Sequence, residues 1–196
     1  MSPKIWWYLA RSSGLVAWGL AGLAILLGLL LSGRLRRVPT PAWQQDLHRY
    51  LGGLSALFLA LHITGLALDP TVAFGWASIT IPMFSTWRPG AVAWGIAAAY
   101  LLLAVELSSL VMRRLPRKLW RAIHFASYAV WVSGTVHALQ AGTDQRATLF
   151  IAIIGSALIF NLTALRIVGR RVPRARAGGP RAAATRTPSP RPSPGA

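Results

Sequence analysis

Long apolar runs recur along this 196-residue chain, and they constrain its fold more than any other feature. A helix of about 20 apolar residues can cross the roughly 30 Å hydrocarbon core of a bilayer, where its backbone must satisfy its own hydrogen bonds. Hydrophobic residues make up 54% of the sequence and the mean hydropathy is +0.48, both high for a soluble protein. The sequence therefore predicts an all-α, polytopic transmembrane helix bundle.

We expect about five spanning helices, preceded by a short interfacial lead over residues 1–13. The predicted spans are 14–32, 43–68, 91–112, 119–140 and 148–168. The apolar, proline-broken stretch 70–90 predicts a loop on the membrane surface, with a cap over a cofactor as an alternative. Residues 169–196 are rich in Pro, Arg and Ala without apolar periodicity, which predicts a disordered basic tail after a membrane domain of residues 1–168.

The net charge of +17 would suggest nucleic acid as a partner for a soluble protein. Here the basic residues cluster at the ends of predicted helices and in the tail, so topology and anionic lipid headgroups explain them better, and no nucleic-acid partner is expected. The positive-inside rule places the first and third loops and the tail in the cytoplasm, with the N-terminus outside. We therefore expect a multi-pass protein of the plasma membrane.

The four histidines of the chain form two pairs, His48 with His62 and His124 with His137, each within one predicted span. The spacings of 14 and 13 residues correspond to roughly 20 Å along a helix axis, so each helix carries one imidazole near each membrane face. Two such helices running the same way place His48 beside His124 at the cytoplasmic level and His62 beside His137 at the outer level. Because neutral imidazole is a strong axial ligand for haem iron, the pattern predicts two stacked haems.

The alternative for each histidine is a polar packing residue, hydrogen-bonded across a helix interface. Ionisable residues inside a membrane are nevertheless functional candidates by default. The unequal spacing adds a constraint: 14 positions leave two side chains about 40° apart around a helix, whereas 13 leave them about 140° apart. The helix over 119–140 must therefore be distorted, and Gly134 is the expected kink.

The chain has no cysteine, which excludes thiolate metal sites, disulfides and covalent haem attachment. Several cations lie at depths suited to haem propionates: Arg49, Lys118 and Arg121 at the cytoplasmic level, and Arg11 and Arg88 at the outer level. The alternative for each is an interfacial anchor. Glu106 is expected to form an ion pair with the nearby Arg113–Arg114 end of its helix, with a proton relay as the alternative.

With these residues placed, the chain resembles the ferric reductase-like transmembrane domain family, which includes the membrane parts of ferric-chelate reductases and NADPH oxidases. It also includes bacterial haem membrane subunits that serve methionine-sulfoxide repair. The resemblance covers about residues 5–168 and rests on the unequal histidine pairs, on Trp120-Arg121-x-x-His124 and on the turn Ala141-Gly142-Thr143-Asp144. It implies two b-type haems held by His48, His62, His124 and His137, with electrons crossing from a cytoplasmic flavin to an outer acceptor.

Complete reductases of that family carry flavin- and nucleotide-binding domains after the membrane part, whereas here a tail follows. We therefore expect the membrane electron-transfer component of an oxidoreductase, with the flavin supplied by a cytoplasmic flavin-dependent reductase or flavoprotein. Membrane lipid and an outer-face electron acceptor are the other expected partners. Two alternatives remain: a haem-containing membrane anchor or assembly subunit without its own turnover, and a small haem-free transporter.

Overall fold

The computed structural model describes residues 4–32, 41–72 and 74–171, and within these ranges the ordered elements are all helices. The predicted all-α class is confirmed. In chain order the helices are α1 (Lys4–Leu31), α2 (Ala42–Leu68), α3 (Trp76–Thr80), α4 (Pro89–Leu110), α5 (Arg117–Phe125), α6 (Ser127–Ala141) and α7 (Gln145–Arg171). Helix α7 continues three residues past the predicted end of the membrane domain, and the rest of the predicted tail lies outside the described residues.

Four helices in the described part of the chain are long and apolar enough to span a membrane, namely α1, α2, α4 and the Gln145–Val168 part of α7. Large apolar side chains point outward from the bundle, including Phe160 at 73% exposure and Leu110 at 80%. Soluble monomers rarely expose extended apolar surface, whereas a lipid-facing surface is apolar by necessity. The chain is therefore a multi-pass membrane protein.

Prolines mark where several of these helices begin. Pro41 and Pro116 directly precede α2 and α5 with φ of −58° and −56°, and Pro89 is the first residue of α4. The ring fixes φ near the helical value and removes an N–H that would have no partner in the first turn. Helix α1 begins at Lys4, so the predicted interfacial lead is wrong from that residue onward and its aromatic residues form the first turns of a long helix.

The predicted helix over 119–140 is two helices, α5 and α6, separated at Ala126. The Ala126 N–H donates to the Ile123 carbonyl at 2.9 Å, which is the tighter bond of a 3₁₀ turn. The expected distortion is therefore present but lies at Ala126, and its prediction at Gly134 is wrong. Gly134 lies inside α6, where a Cβ would be 3.3 Å from the Trp18 ring, so it serves helix packing.

An aromatic pair joins α1, α6 and α7 at the centre of the bundle. Trp18 and Trp131 stack with ring centres 5.0 Å apart and planes at 12°. Trp18 Nε1 donates to Thr135 at 3.1 Å, and Trp131 Nε1 donates to Ser156 at 3.0 Å, so both buried indoles are satisfied. Cβ atoms on Gly22 of α1 and Gly155 of α7 would lie 2.5 and 2.7 Å from the Trp131 ring. The two glycines therefore form the space into which this indole fits.

The helices form two antiparallel pairs that face each other. Helix α1 packs along α2, and α4 packs along α6. Between α2 and the α5–α6 segment, no two Cα atoms of described residues lie within 8 Å of each other. Direct helix packing places axes only about 8–10 Å apart, so α2 and α5–α6 face each other across a gap. All four histidines lie on the helices that border this gap.

Candidate functional site

The four imidazoles meet in two layers across the gap. The ring centres of His62 and His137 are 6.1 Å apart with planes at 81°, and those of His48 and His124 are 6.0 Å apart with planes at 66°. One ring of each layer belongs to α2 and the other to α5 or α6. Within α2 the two layers are 14 residues apart, which corresponds to roughly 21 Å along the axis.

These separations match the geometry of a metal bound between two imidazoles. Bonds of about 2 Å from a metal to each ring nitrogen, plus about 1 Å from each nitrogen to its ring centre, would place the two ring centres roughly 6 Å apart. Edge-to-face packing of two rings falls in the same range of about 4.5–7 Å, whereas a direct hydrogen bond would bring the centres closer together. The separations are therefore compatible with one metal ion bound by both rings of a layer.

The donor set of each layer is small. In the described part of the chain, no group of three or more His, Cys, Asp or Glu side chains is placed to share a metal ion. A bare ion in either layer would thus have two protein ligands, fewer than the four or more that zinc, calcium or magnesium sites use. A metal that brings its own in-plane ligands, such as haem iron, needs only the two axial nitrogens that a layer offers.

Backbone carbonyls hold three of the four imidazoles. The Nδ1 atom of His62 donates to the Ala10 carbonyl at 2.6 Å, His48 to Ala24 at 2.9 Å, and His137 to Ala91 at 2.8 Å. Because a carbonyl oxygen only accepts, Nδ1 must carry the proton in each case. Nε2 is then the unprotonated nitrogen, free to act as a ligand on the far side of the ring.

Each accepting alanine is followed four residues later by a glycine. A helical side chain covers the turn on the N-terminal side of its own Cα, so a residue at position i+4 overlies the carbonyl of position i. A Cβ on Gly14 would lie 2.7 Å from His62 Nδ1, one on Gly95 2.7 Å from His137 Nδ1, and one on Gly28 3.1 Å from His48 Cε1. The glycines therefore leave space for the rings to reach the carbonyls.

Ser55 adds a third contact between α1 and α2. Its side chain is fully buried and donates to the Ala17 carbonyl at 3.0 Å. Ser55 lies seven residues from each histidine of α2, and Ala17 lies seven residues from each accepting alanine of α1. Three side-chain-to-carbonyl bonds therefore join the helices at every second turn, with the buried serine between the two histidine layers. We call these three bonds the rungs between α1 and α2.

His124 is held differently from the other three. Its ring stacks on Trp120 with centres 4.9 Å apart and planes at 26°. Its Nδ1 and the Trp120 Nε1 are both buried, and neither has a hydrogen-bond partner among the described residues. The ring belongs to the nine-residue helix α5, which the break at Ala126 separates from α6.

The four arginines predicted to pair with haem propionates differ in their surroundings. Arg49 is exposed and lies 4.0 Å from Asp46, one turn earlier in α2, and Arg121 is exposed on α5. Neither observation tests whether Arg49 and Arg121 bind haem propionates, so this role stays a prediction. At the other end, Arg11 forms an ion pair with Asp144, and Arg88 donates to the Gln140 carbonyl at 2.5 Å.

A cavity of about 310 Å³ adjoins the layer of His62 and His137, both of which line it. Its wall includes five residues of the segment between α2 and α4, namely Asp69, Val72, Phe74, Ile79 and Trp87. The short helix α3 in this segment is fixed to the bundle, because the Tyr100 hydroxyl donates to the Thr80 carbonyl at 2.7 Å. The stretch 70–90 therefore closes one side of this cavity.

Glu106 does not make the expected ion pair. Among the described residues, no basic nitrogen lies within 4.0 Å of its carboxylate. Its carboxylate instead lies against α2, where a Cβ on Gly52 would be 2.5 Å from Glu106 Oε1. Glu106 therefore contributes to the contact between α4 and α2 one turn from His48.

Comparison with known families identifies the chain at this point. The family model described as "Ferric reductase like transmembrane component" matches residues 5–135. The chain belongs to this family. The match includes His48, His62 and His124 and ends two residues before His137, and family membership indicates a component of a membrane oxidoreductase. No curated protein and no solved structure matches the chain.

The residues that sequence reasoning missed are the carbonyls and glycines of the neighbouring helices. A signal for them exists: Ala10-x-x-x-Gly14 recurs as Ala24-x-x-x-Gly28, with the 14-residue spacing that separates His48 from His62. The same pattern occurs once in α4, as Ala91-x-x-x-Gly95. Neither helix contains a histidine, so attention to ligand residues alone overlooks both.

Proposed function

We propose that this protein is a dihaem b-type membrane cytochrome that moves electrons from a cytoplasmic donor to an acceptor at the outer face. The observation that carries the proposal is the pair of histidine layers, each with ring centres about 6 Å apart across a gap between helices. Membership of the ferric reductase-like family supports it independently of this geometry.

The chemistry of the ligands supports haem over a bare metal ion. Each layer offers two imidazoles, and in at least three of the four a carbonyl on Nδ1 leaves Nε2 as the available ligand. His48 and His124 would hold one haem, and His62 and His137 the other. Haem iron would supply reversible one-electron oxidation and reduction within the bilayer.

The chain itself would place and insulate the two groups. The rungs between α1 and α2 fix His48 and His62 on one face of α2, and the Trp18–Trp131 pair fills the bundle between α1 and α6. Glycine at the contact points lets neighbouring helices approach the imidazoles closely. Packing of this kind excludes water and limits the reorganisation that accompanies a change of iron charge.

Orientation and span number follow from the same proposal. Helices α5 and α6 together extend from Arg117 to Ala141, and we propose that they form a fifth crossing in two segments. The positive-inside rule favours a cytoplasmic position for the layer of His48 and His124 and an outer position for that of His62 and His137. The donor would then be a cytoplasmic flavin-dependent reductase or flavoprotein, with the flavin belonging to that partner.

Spectroscopy of the purified protein tests the haem assignment. We expect a b-type spectrum and two haems per chain by the pyridine haemochromogen assay. His62→Ala and His137→Ala should each lose the same haem, and the double variant should still retain one, because both residues serve one layer. Ser55→Ala, which alters the buried rung without removing a ligand, should retain both. If His62→Ala and His48→Ala lost the same haem, the layered assignment would be wrong.

Reconstitution into vesicles tests whether the protein transfers electrons across a membrane. Protein reconstituted into liposomes that enclose a ferric chelate should pass electrons from an external reductant to the enclosed iron. Empty liposomes and the double variant His48→Ala/His62→Ala should not. A haem-containing protein that fails to reduce the enclosed chelate would favour the anchor or assembly subunit over the electron-transfer role.

A further inference from the structure

The two histidine layers are not built alike. In the layer of His62 and His137, both rings donate through Nδ1 to a carbonyl, at 2.6 and 2.8 Å. In the other layer His48 makes such a bond, at 2.9 Å, whereas His124 Nδ1 is buried without a partner among the described residues. The first layer is therefore anchored on both sides and the second on one side.

The anchors depend on residues that do not touch the gap. A bond from Nδ1 to a carbonyl fixes the tautomer, fixes the direction of the ring and makes Nε2 a stronger electron donor. Gly14, Gly28 and Gly95 permit these bonds, because a Cβ at Gly14 or Gly95 would collide with the ring beside it and one at Gly28 would crowd its ring. The collision would be closest at Gly14 and Gly95, at 2.7 Å from Nδ1, and milder at Gly28, at 3.1 Å from Cε1.

The support around His124 is weaker in a second respect. Its helix α5 has nine residues and is separated from α6 by the 3₁₀ turn at Ala126. The other three histidines lie in α2 and α6, helices of 27 and 15 residues. The ring of His124 is positioned by its stack on Trp120, which belongs to the same short helix.

We propose that Gly14, Gly28 and Gly95 are positioning residues for the metal ligands, and that the site of His48 and His124 is the more labile of the two. This inference rests on the proposed haem binding and adds an inequality that the function alone does not require. Loss of a group that hydrogen-bonds to a metal-binding imidazole typically lowers metal affinity about 10–100-fold, so the difference between the layers is measurable.

Haem capture by excess apomyoglobin measures this inequality directly. We expect two release phases, with the faster one absent from His48→Ala, because that variant lacks the labile site. Gly14→Ala and Gly95→Ala should accelerate the slow phase by about 10–100-fold and leave the fast phase unchanged. Gly28→Ala should affect the fast phase alone and by a smaller factor. Gly19→Ala and Gly53→Ala are matched controls, because a Cβ at either position meets nothing within 4 Å.

The reduction potential separates positioning from general stability. Because the anchored imidazole stabilises ferric iron, Gly14→Ala should shift the midpoint potential of the haem bound by His62 and His137 to a more positive value and leave the other haem unchanged. A general loss of structure would move both. In the haem-free protein, ¹⁵N NMR should show three imidazoles with the proton on Nδ1 and a different signature for the fourth.

The possible results distinguish failure of this inference from failure of the proposed function. Two haems with one release phase, or a Gly14→Ala variant that behaves like Gly19→Ala, would overturn this inference and leave the proposed function standing. Release of the haem of His62 and His137 in the fast phase would also overturn it. A protein that binds no haem would overturn the proposed function as well.

Discussion

The helix pair α1–α2 and the helix pair α4–α6 solve the same placement problem in different ways. In the first pair, three side chains seven residues apart on α2 donate to three carbonyls seven residues apart on α1. In the second pair His137 makes one such bond. The break at Ala126 separates the helix of His137 from the helix that carries His124. The difference follows from spacing: 14 residues return a continuous helix close to the same face, whereas 13 do not.

The three rungs between α1 and α2 position the imidazoles more than they stabilise the bundle. Hydrogen bonds between membrane helices contribute about 0.6 kcal/mol on average and up to about 1.7 kcal/mol, because polar groups in the unfolded membrane state also find partners. Three such bonds are a small term beside the packing of a bundle. Their larger effect is to fix the rotation of α2, and with it the direction of both of its imidazoles.

Deleting Gly53 should break the regularity of the first pair and have the largest effect on the site. Gly53 is exposed and lies between His48 and Ser55, and loss of one residue turns His48 by about 100° relative to the rest of α2. Ser55 and Gly65 remain in register with His62, so we expect one haem per chain, held by His62 and His137. The haem-to-protein ratio measures this, and Gly53→Ala should keep two haems. A deletion variant that keeps both would show that α2 can re-phase as the broken helix does.

Trp131→Ala should sharpen the comparison by removing the contact that holds α6 of the second pair against α1 and α7. Trp131 is 6% exposed, stacks on Trp18 and fits against two glycines. Replacing a buried tryptophan with alanine typically costs about 3–5 kcal/mol, and the surrounding glycines offer nothing to fill the space. Equilibrium unfolding in mixed micelles measures the loss. Trp76→Ala, at a side chain that is 74% exposed, is the control, and an equal loss there would contradict the central role of Trp131.

Ser55→Ala should have the smallest effect. The substitution removes the middle rung, while the Ala17 carbonyl keeps its bond within α1. The free energy of unfolding should therefore fall by about 0.6 kcal/mol. Both haems should remain, because the two outer rungs still fix the rotation of α2. Thr64→Ala is a suitable comparison, since its exposed hydroxyl donates within its own helix. Loss of a haem in Ser55→Ala would mean that the three rungs act cooperatively.

The sequence predicted the helical class and the pairing of histidines by level, because apolar runs and four scattered imidazoles in lipid carry strong signals. It placed the bounds of α2 within one residue. It did not locate the break, because the local sequence His124-Phe125-Ala126-Ser127 contains neither proline nor glycine. A tertiary requirement, two imidazoles on one side at a spacing of 13 residues, calls for a bend but does not give its position.

The anchoring carbonyls were invisible for a different reason. Every residue has a carbonyl, so the partner of an imidazole is known only when the register of two helices is known. That register follows from packing, for instance from the close approach of Gly65, whose Cβ would lie 2.8 Å from the Ala10 backbone nitrogen. The repeated alanine–glycine spacing in α1 gains its meaning only beside the equal spacing of the histidines in α2.

The ion pair between Arg11 and Asp144 has a consequence for how the bundle assembles. Arg11 emerges from the ribosome early, whereas Asp144 and the α7 helix that also packs on α1 are made more than 130 residues later. The ring of helices therefore closes only after the last helix has inserted. Until then α1 lacks one of the helices that pack on it, so its contacts with α2 and α6 form before its contact with α7.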